Sequence, residues 1–189
     1  MPSTLQVDKI IDGSATTNKE LAEYASGNWS WGSGVPQHTI IQVVTDENSN
    51  TGAGVTVTGS HGSSNSHGYQ LFNTSFTPKF SNSKILIQTS NVFIGEEANN
   101  GNWGWINAWY DTTKVASATG TSHYSAFSNL YNWTLLCLNH AFNSWGTTTK
   151  SINVRCGMDA GTIYVKNSSG TSYNSQAMTI GLIIIEVAQ

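Results

Sequence analysis

The chain has 189 residues and a formal net charge of −3, and only 10% of its residues are charged against roughly 25% in an average soluble protein. Ser, Thr, Asn and Gly stand where Lys and Glu usually do, a substitution that disfavours helices and leaves strands and turns their best residues. Eight basic against eleven acidic residues make no basic footprint, so neither nucleic acid nor an anionic membrane is expected as a partner.

Residues 1–38 read as an N-terminal arm and linker, and residues 39–189 as a single body. Leu5, Val7, Ile10 and Ile11 suit a short extended segment. Lys19–Ala25 (KELAEYA) is predicted to be a helix of about two turns capped by Asn18, and Gly27–Pro36 is turn-rich linker. So short a helix does not stand alone. The arm is therefore expected to bury Leu5, Val7, Ile10, Trp29 and Trp31 against the body or another protein. The opening lacks the basic stretch and apolar run of a secretory signal, and no apolar run approaches the ~20 residues that span a bilayer. The expectation is a chain made and assembled in a cytosol.

From Thr39 the signal is strands. Thr39–Thr45 and Ser83–Phe93 alternate, the latter with Ile85, Ile87, Thr89 and Asn91 on one side. Trp103–Tyr110, Trp133–Phe142, Ser151–Met158, Thr162–Lys166 and Ala177–Val187 follow, while Ser60–His67 and Thr112–Ser125 read as polar rim loops. Short strands at this spacing predict an all-β fold, an antiparallel β-sandwich or jelly roll. In the last strand Ile180, Leu182, Ile184 and Glu186 alternate with Gly181, Ile183, Ile185 and Val187, so both faces are apolar. A single sandwich core covers one of them. Ile180, Leu182, Ile183, Ile184 and Ile185 are accordingly expected to serve both the core and a contact between subunits, in a homotrimer.

No nucleophile elbow, zinc-binding His-Glu-x-x-His, phosphate loop or dinucleotide fingerprint is present, so the chain reads as a non-enzyme without cofactor or metal. Asp46–Gly52 (DENSNTG) spaces Asp46, Asn48 and Asn50 like the start of a calcium loop, but Val57 stands where the bidentate Glu belongs, and a solvated hairpin loop is expected instead. Cys137 and Cys156 lie symmetrically about the turn near Trp145 and Gly146; two buried thiols that face each other are expected rather than a disulfide. Trp103, Trp105 and Trp109 share strand parity with Asn107. They suit either a core or interface stripe, which is favoured, or a platform on which a sugar stacks. In the loops, His61, His67, Tyr69, His123 and Tyr124 are the candidates for adaptable contacts to a glycan.

Six stretches carry a family likeness: STLQVDKIIDG, HTIIQVV, FTPKFSNSKILIQTSNVFIG, INAWYDTTKVAS, GTIYVKNSSG and MTIGLIIIEVA. With its TP-x-x-S-x-SKIL block and its closing L-x-I-x-E-V-A, close to the I-x-I-x-E-(I/V)-A ending of that family, the chain resembles the β domains of tailed-phage virion proteins, cyanophage and marine-phage tail-fibre-like and capsid-decorating proteins among them. The resemblance implies a homotrimeric β-sandwich on a virion surface. A capsid-decorating (cement) protein is expected, bound through its arm to the major capsid protein or another virion protein; the alternative is a short tail fibre or fibre tip that binds a host-surface glycan.

Overall fold

A computed structural model describes residues 9–12, 19–25, 28–31, 35, 37–48, 55–56, 62–90, 92–96, 103–121, 132–144, 146–158, 162–165 and 180–189. In the N-terminal region β1 (Lys9–Asp12), β2 (Lys19–Ala25) and β3 (Asn28–Trp31) form an antiparallel sheet in the order β1-β2-β3, which shares no strand with the other sheets. The helix expected at Lys19–Ala25 is thus a strand. Seven residues form too short a helix to offset the cost of nucleating it. Pairing on both edges satisfies the same backbone groups, and the register sets Lys9 opposite Glu23 and Asp12 opposite Lys19.

The body pairs its strands in nested order, from its two ends inward to one turn. β4 (Ile40–Asn48) pairs with β15 (Ile180–Val187), β5 (Val55–Thr56) with β14 (Thr162–Val165), and β6 (Tyr69–Phe76) with β13 (Lys150–Met158). Inside these, β7 (Lys84–Ser90) pairs with β12 (Asn139–Asn143), β8 (Val92–Glu96) with β11 (Asn132–Leu136), and β9 (Trp103–Tyr110) with β10 (Thr113–Thr121). Every pair is antiparallel. The result is one long double strand with its apex at Asp111, a residue with φ 53°, and it is rolled up: β15 also pairs with β7, β14 with β8 and β13 with β9. A double strand rolled in this way is a jelly roll. One layer is β10-β9-β13-β6 and the other β12-β7-β15-β4; a further sheet, β11-β8-β14-β5, has its β11 against β9 and β10 of the first layer.

Two predicted strands are broken where they pass between sheets. Ser83–Phe93 splits at Asn91 into β7 and β8, and the buried side changes there from Ile85, Ile87 and Thr89 to Val92 and Ile94. Trp133–Phe142 splits at Cys137 and Leu138. The backbone groups freed by the break are taken up locally: Thr89 Oγ1 accepts from the Leu138 amide at 2.8 Å, and the Thr89 amide donates to the Leu138 carbonyl at 3.0 Å. β10 is a strand where a polar loop was expected, β6 is a strand that was not anticipated, and Asp46, Glu47 and Asn48 continue β4 rather than forming a hairpin loop.

Between the layers lie Ile85, Ile87, Leu182 and Ile184 from one side and Phe72, Ile106, Ile152, Val154 and Cys156 from the other, all buried. Each such aliphatic side chain contributes roughly 1.5–3 kcal/mol. The rings of Tyr110 and Phe142 meet across the layers at 5.3 Å between centroids. Edge strands β4 and β6 are stitched by side chains: Thr74 Oγ1 donates to Asp46 Oδ2 at 2.6 Å, and Asn48 Nδ2 to the Leu71 carbonyl at 2.7 Å. Polar groups of both edges are thereby occupied.

A clasp closes one end. The Glu186 carboxylate, fully buried, accepts from the amides of Lys79 and Phe80 at 2.9–3.0 Å and from Gln42 Nε2 at 2.6 Å. Ser83 and Ser144 hydroxyls both donate to the Phe80 carbonyl, at 3.0 and 2.9 Å. The TPKFSNSKIL and IIIEVA blocks that carry the family likeness therefore meet in space as one unit. A carboxylate stripped of water is stable only when donors surround it, and this segment supplies them from its backbone.

Candidate functional site

The two layers present outward faces of different character. On β15, Ile180, Leu182, Ile184 and Glu186 point inward and are at most 1% exposed, while Gly181, Ile183, Ile185 and Val187 point outward. The register sets Ile185 between Val43 of β4 and Leu86 of β7, and Ile183 between Thr45 and Gln88. Val43 is 53% exposed, Ile183 38%, and Ile40 at the start of β4 56%. The expectation of two apolar faces on this strand thus holds residue by residue. A cleft of about 290 Å³ opens at the end of this strip where β7 and β12 part, lined by Gln88, Thr89, Ser90, Cys137, Leu138, Asn139 and Ile183.

The other layer is aromatic on its outward side. Tyr110 points into the core, so Ile106 and Ala108 do too; Trp103, Trp105, Asn107 and Trp109 lie on the opposite face of β9. Trp103 is 51% exposed, yet Trp105 and Trp109 are buried and Asn107 is fully so. The cover over Trp105 is the segment Gly62–Gly68 (GSSNSHG). A β-carbon added at Gly62, Gly68 or, beneath the ring, Gly157 would stand less than 3.0 Å from Trp105, and Gly62 and Gly68 hold φ of +60° and +70°. Only glycine reconciles that backbone with that approach.

Polar contacts fasten this strap to the sheet. Asn107 Nδ2 donates to the Gly62 carbonyl at 3.0 Å, and Lys114 Nζ reaches the same oxygen at 3.4 Å while lying 5.6 Å from the Trp109 ring centroid. Arg155 Nε donates to the His67 carbonyl at 2.7 Å, and its Nη2 to those of Gly68 at 2.8 Å and Ser66 at 3.4 Å. Desolvation lowers the Arg155 pKa from its ordinary value. At the apex Asp111 forms an ion pair with Lys150 at 2.8 Å and accepts from the Ser151 amide at 2.8 Å; these bonds, the lysine's foremost, lower its pKa.

The predicted site residues fall into three groups. Leu5, Val7, His61, His123 and Tyr124 lie outside the described residues, and of the arm Ile10 is placed in β1 and Trp29 and Trp31 in β3. His67 and Tyr69 are half-buried: His67 belongs to the strap and Tyr69 opens β6, so neither stands in an open rim loop. Of the Trp103, Trp105 and Trp109 row, Trp105 and Trp109 are buried, as the favoured core reading expected, though on the outward face of β9, and Trp103 is half-exposed. Arg155, Asn107 and the strap glycines escaped sequence reasoning. The two glycines flanking SSNSH were the available signal.

Cys137 is exposed and Cys156 buried, and both are free thiols. The expected pair of buried, facing thiols fails because β12 pairs with β7 whereas β13 pairs with β6 and β9, so the segments around Trp145 belong to different layers. Burial pushes the Cys156 thiol pKa far up, against the opposing pull of Arg155. Among the described residues no group of three or more His, Cys, Asp and Glu is placed to hold a metal ion.

No protein-family model matches the chain, and no curated protein matches it. Among solved structures it is similar to a chain of infectious bursal disease virus, Gx strain, at 10% sequence identity and a TM-score of 0.35; the match covers all of this chain and 45% of that one.

Proposed function

We propose that this chain is a structural protein of a bacteriophage virion, a capsid-decorating protein that assembles as a homotrimer on the particle surface. The observation that carries the reading is the outward strip of Ile40, Val43, Ile183 and Ile185. A layer already sealed on its inner side keeps aliphatic side chains in water on its outer side, and such strips are normally covered by another protein. Threefold closure through this face covers it in every copy. The N-terminal region, with its own β1-β2-β3 sheet, serves as the attachment arm, with Leu5, Val7, Ile10, Trp29 and Trp31 at the contact with the major capsid protein or another virion protein. Native mass spectrometry tests the trimer: Val43→Asp combined with Ile183→Asp yields folded monomer, and a wild-type monomer at micromolar concentration refutes the reading. Copy number per particle separates a decorator, present many times, from a tail fibre, present a few times.

The second reading is a host-surface glycan-binding adhesin. The half-exposed indole of Trp103, at the open end of the outward tryptophan row of β9, favours it. Glycan-array screening of the isolated protein tests it, and absence of binding combined with particles weakened by its loss leaves decoration alone.

A further inference from the structure

Four polar atoms lie buried and without a hydrogen-bond partner on the outward side of the β10-β9-β13-β6 layer: Trp105 Nε1, Trp109 Nε1, Asn107 Oδ1 and Asn153 Oδ1. The register sets Asn153 opposite Trp109, and the Asn107 side-chain nitrogen holds Gly62 of the strap. Buried polar groups are paired in nearly all native structures, so two idle donors and two idle acceptors on one face call for a cause. The strap lies over Trp105 and Asn107. Gly62–Gly68 carries no apolar side chain, and its attachments run through carbonyls bound by Asn107, Lys114 and Arg155 and through Asn65 Nδ2 to the Asp111 carbonyl at 3.4 Å. These contacts are mostly part-buried, and a segment held by polar bonds with no apolar side chain to anchor it opens at lower cost than one packed into the core.

We infer that the strap is a displaceable cover over the Trp105 and Asn107 end of a saccharide-binding row that continues to Trp109 and Asn153, with Trp103 its open end. The inference rests on the adhesin reading above and adds to it a site and a gate. The chemistry selects the ligand class. Hydroxyl groups both donate and accept, so they match idle N–H and C=O groups at once, and the C–H face of a sugar ring stacks on indole. The four strands contain no Asp or Glu, and Arg155 and Lys114 are engaged with backbone oxygens, so the ligand is an uncharged, hydroxyl-rich saccharide.

The test titrates the full chain with neutral hexasaccharides of glucose, mannose, galactose and N-acetylglucosamine while following tryptophan fluorescence and its quenching by acrylamide. Arg155→Gln loosens the strap, so it should raise quenching without ligand and bind the preferred sugar about tenfold more tightly than wild type. Trp105→Phe keeps a ring but loses the N–H, and should bind about tenfold more weakly. Sugar binding that leaves both variants at wild-type affinity overturns the gated row and leaves the adhesin reading standing. Binding by neither wild type nor Arg155→Gln overturns both. A crystal structure from a sugar soak with ordered water on all four atoms and no saccharide also overturns the gated row.

Discussion

The two outward faces of the roll differ in who covers them. On the β10-β9-β13-β6 layer a strap from the same chain lies over Trp105, and a lysine over Trp109. On the β12-β7-β15-β4 layer nothing among the described residues comparably shields Val43 or Ile183, and the aliphatic strip meets water. The difference teaches that burial of an outward residue on a sheet is not a property of its strand. It depends on whether a distant segment crosses it, and that seals one face within the chain and leaves the other in water.

Paired truncations break this comparison most sharply. Trp105→Ala should cost about 3–5 kcal/mol, because it leaves a cavity under the strap, and at about 2–4 °C per kcal/mol for a chain of this size the midpoint falls by roughly 10 °C. Ile183→Ala on the open face should change the monomer's stability by no more than about 0.5 kcal/mol. Calorimetry on both variants decides; comparable losses would show that the open strip is as packed as the covered row.

Next in size is the strap itself. Gly68→Ala combines a positive φ with a ring and a backbone oxygen in the path of the new methyl, so a loss of about 2 kcal/mol or more is expected. Gly146→Ala, also at positive φ but with open space around it, should cost only about 1 kcal/mol. Urea unfolding of the two side by side separates strain from collision.

Thiol chemistry sharpens the assembly side. Cys137 should react promptly with a disulfide reagent in the native monomer, and Cys156 only on unfolding, as its burial and raised pKa require. Since Cys137 lines the cleft that ends at Ile183, trimer formation through that face should slow its labelling severalfold relative to the Val43→Asp, Ile183→Asp double variant. Equal rates in the two would place the subunit contact elsewhere.

The smallest effect sits at the apex both faces share. The Asp111 pKa is lowered in the folded state, so its stabilisation is complete above the ordinary carboxylate value and is lost as pH falls through the lowered one. With Asp111 and Lys150 side chains 40% and 29% exposed, solvent screening limits this to a few tenths of a kcal/mol. Asp111→Asn should flatten the stability profile by that amount below the ordinary carboxylate range and cost a similar amount at neutral pH.

Residue type and alternation made much of the body legible. β9, β13 and β15 lie where their patterns place them, the parity of β15 sorts Ile184 from Ile183, and the all-β class follows from composition. The break in SKILIQTSNVF escaped notice because its alternation counts Thr89 and Asn91 on one face with Ile85 and Ile87, although Ser90 and Asn91 are turn-forming residues; the change of buried side appears only in the pairing of β7 and β8 within different sheets. β6 and β10 escaped because YQLFNTSF and TKVASATGT are half polar, and their strand state comes from pairing with β13 and β9. KELAEYA has good helix formers, and β1 and β3 on either side outweigh them.

What the sequence by itself determined is the period-two alternation of apolar residues, and with it the faces of each strand and the apolar character of both faces of β15. Which segment lies over which face was decided only by the tertiary structure. Nested pairing brings Glu186 to the Lys79 and Phe80 amides across more than a hundred positions and lays Gly62–Gly68 on Trp105. Alternation is set by local backbone geometry, which neighbours in the chain impose. Cover and clasp depend on contacts between residues far apart, and no local pattern encodes those.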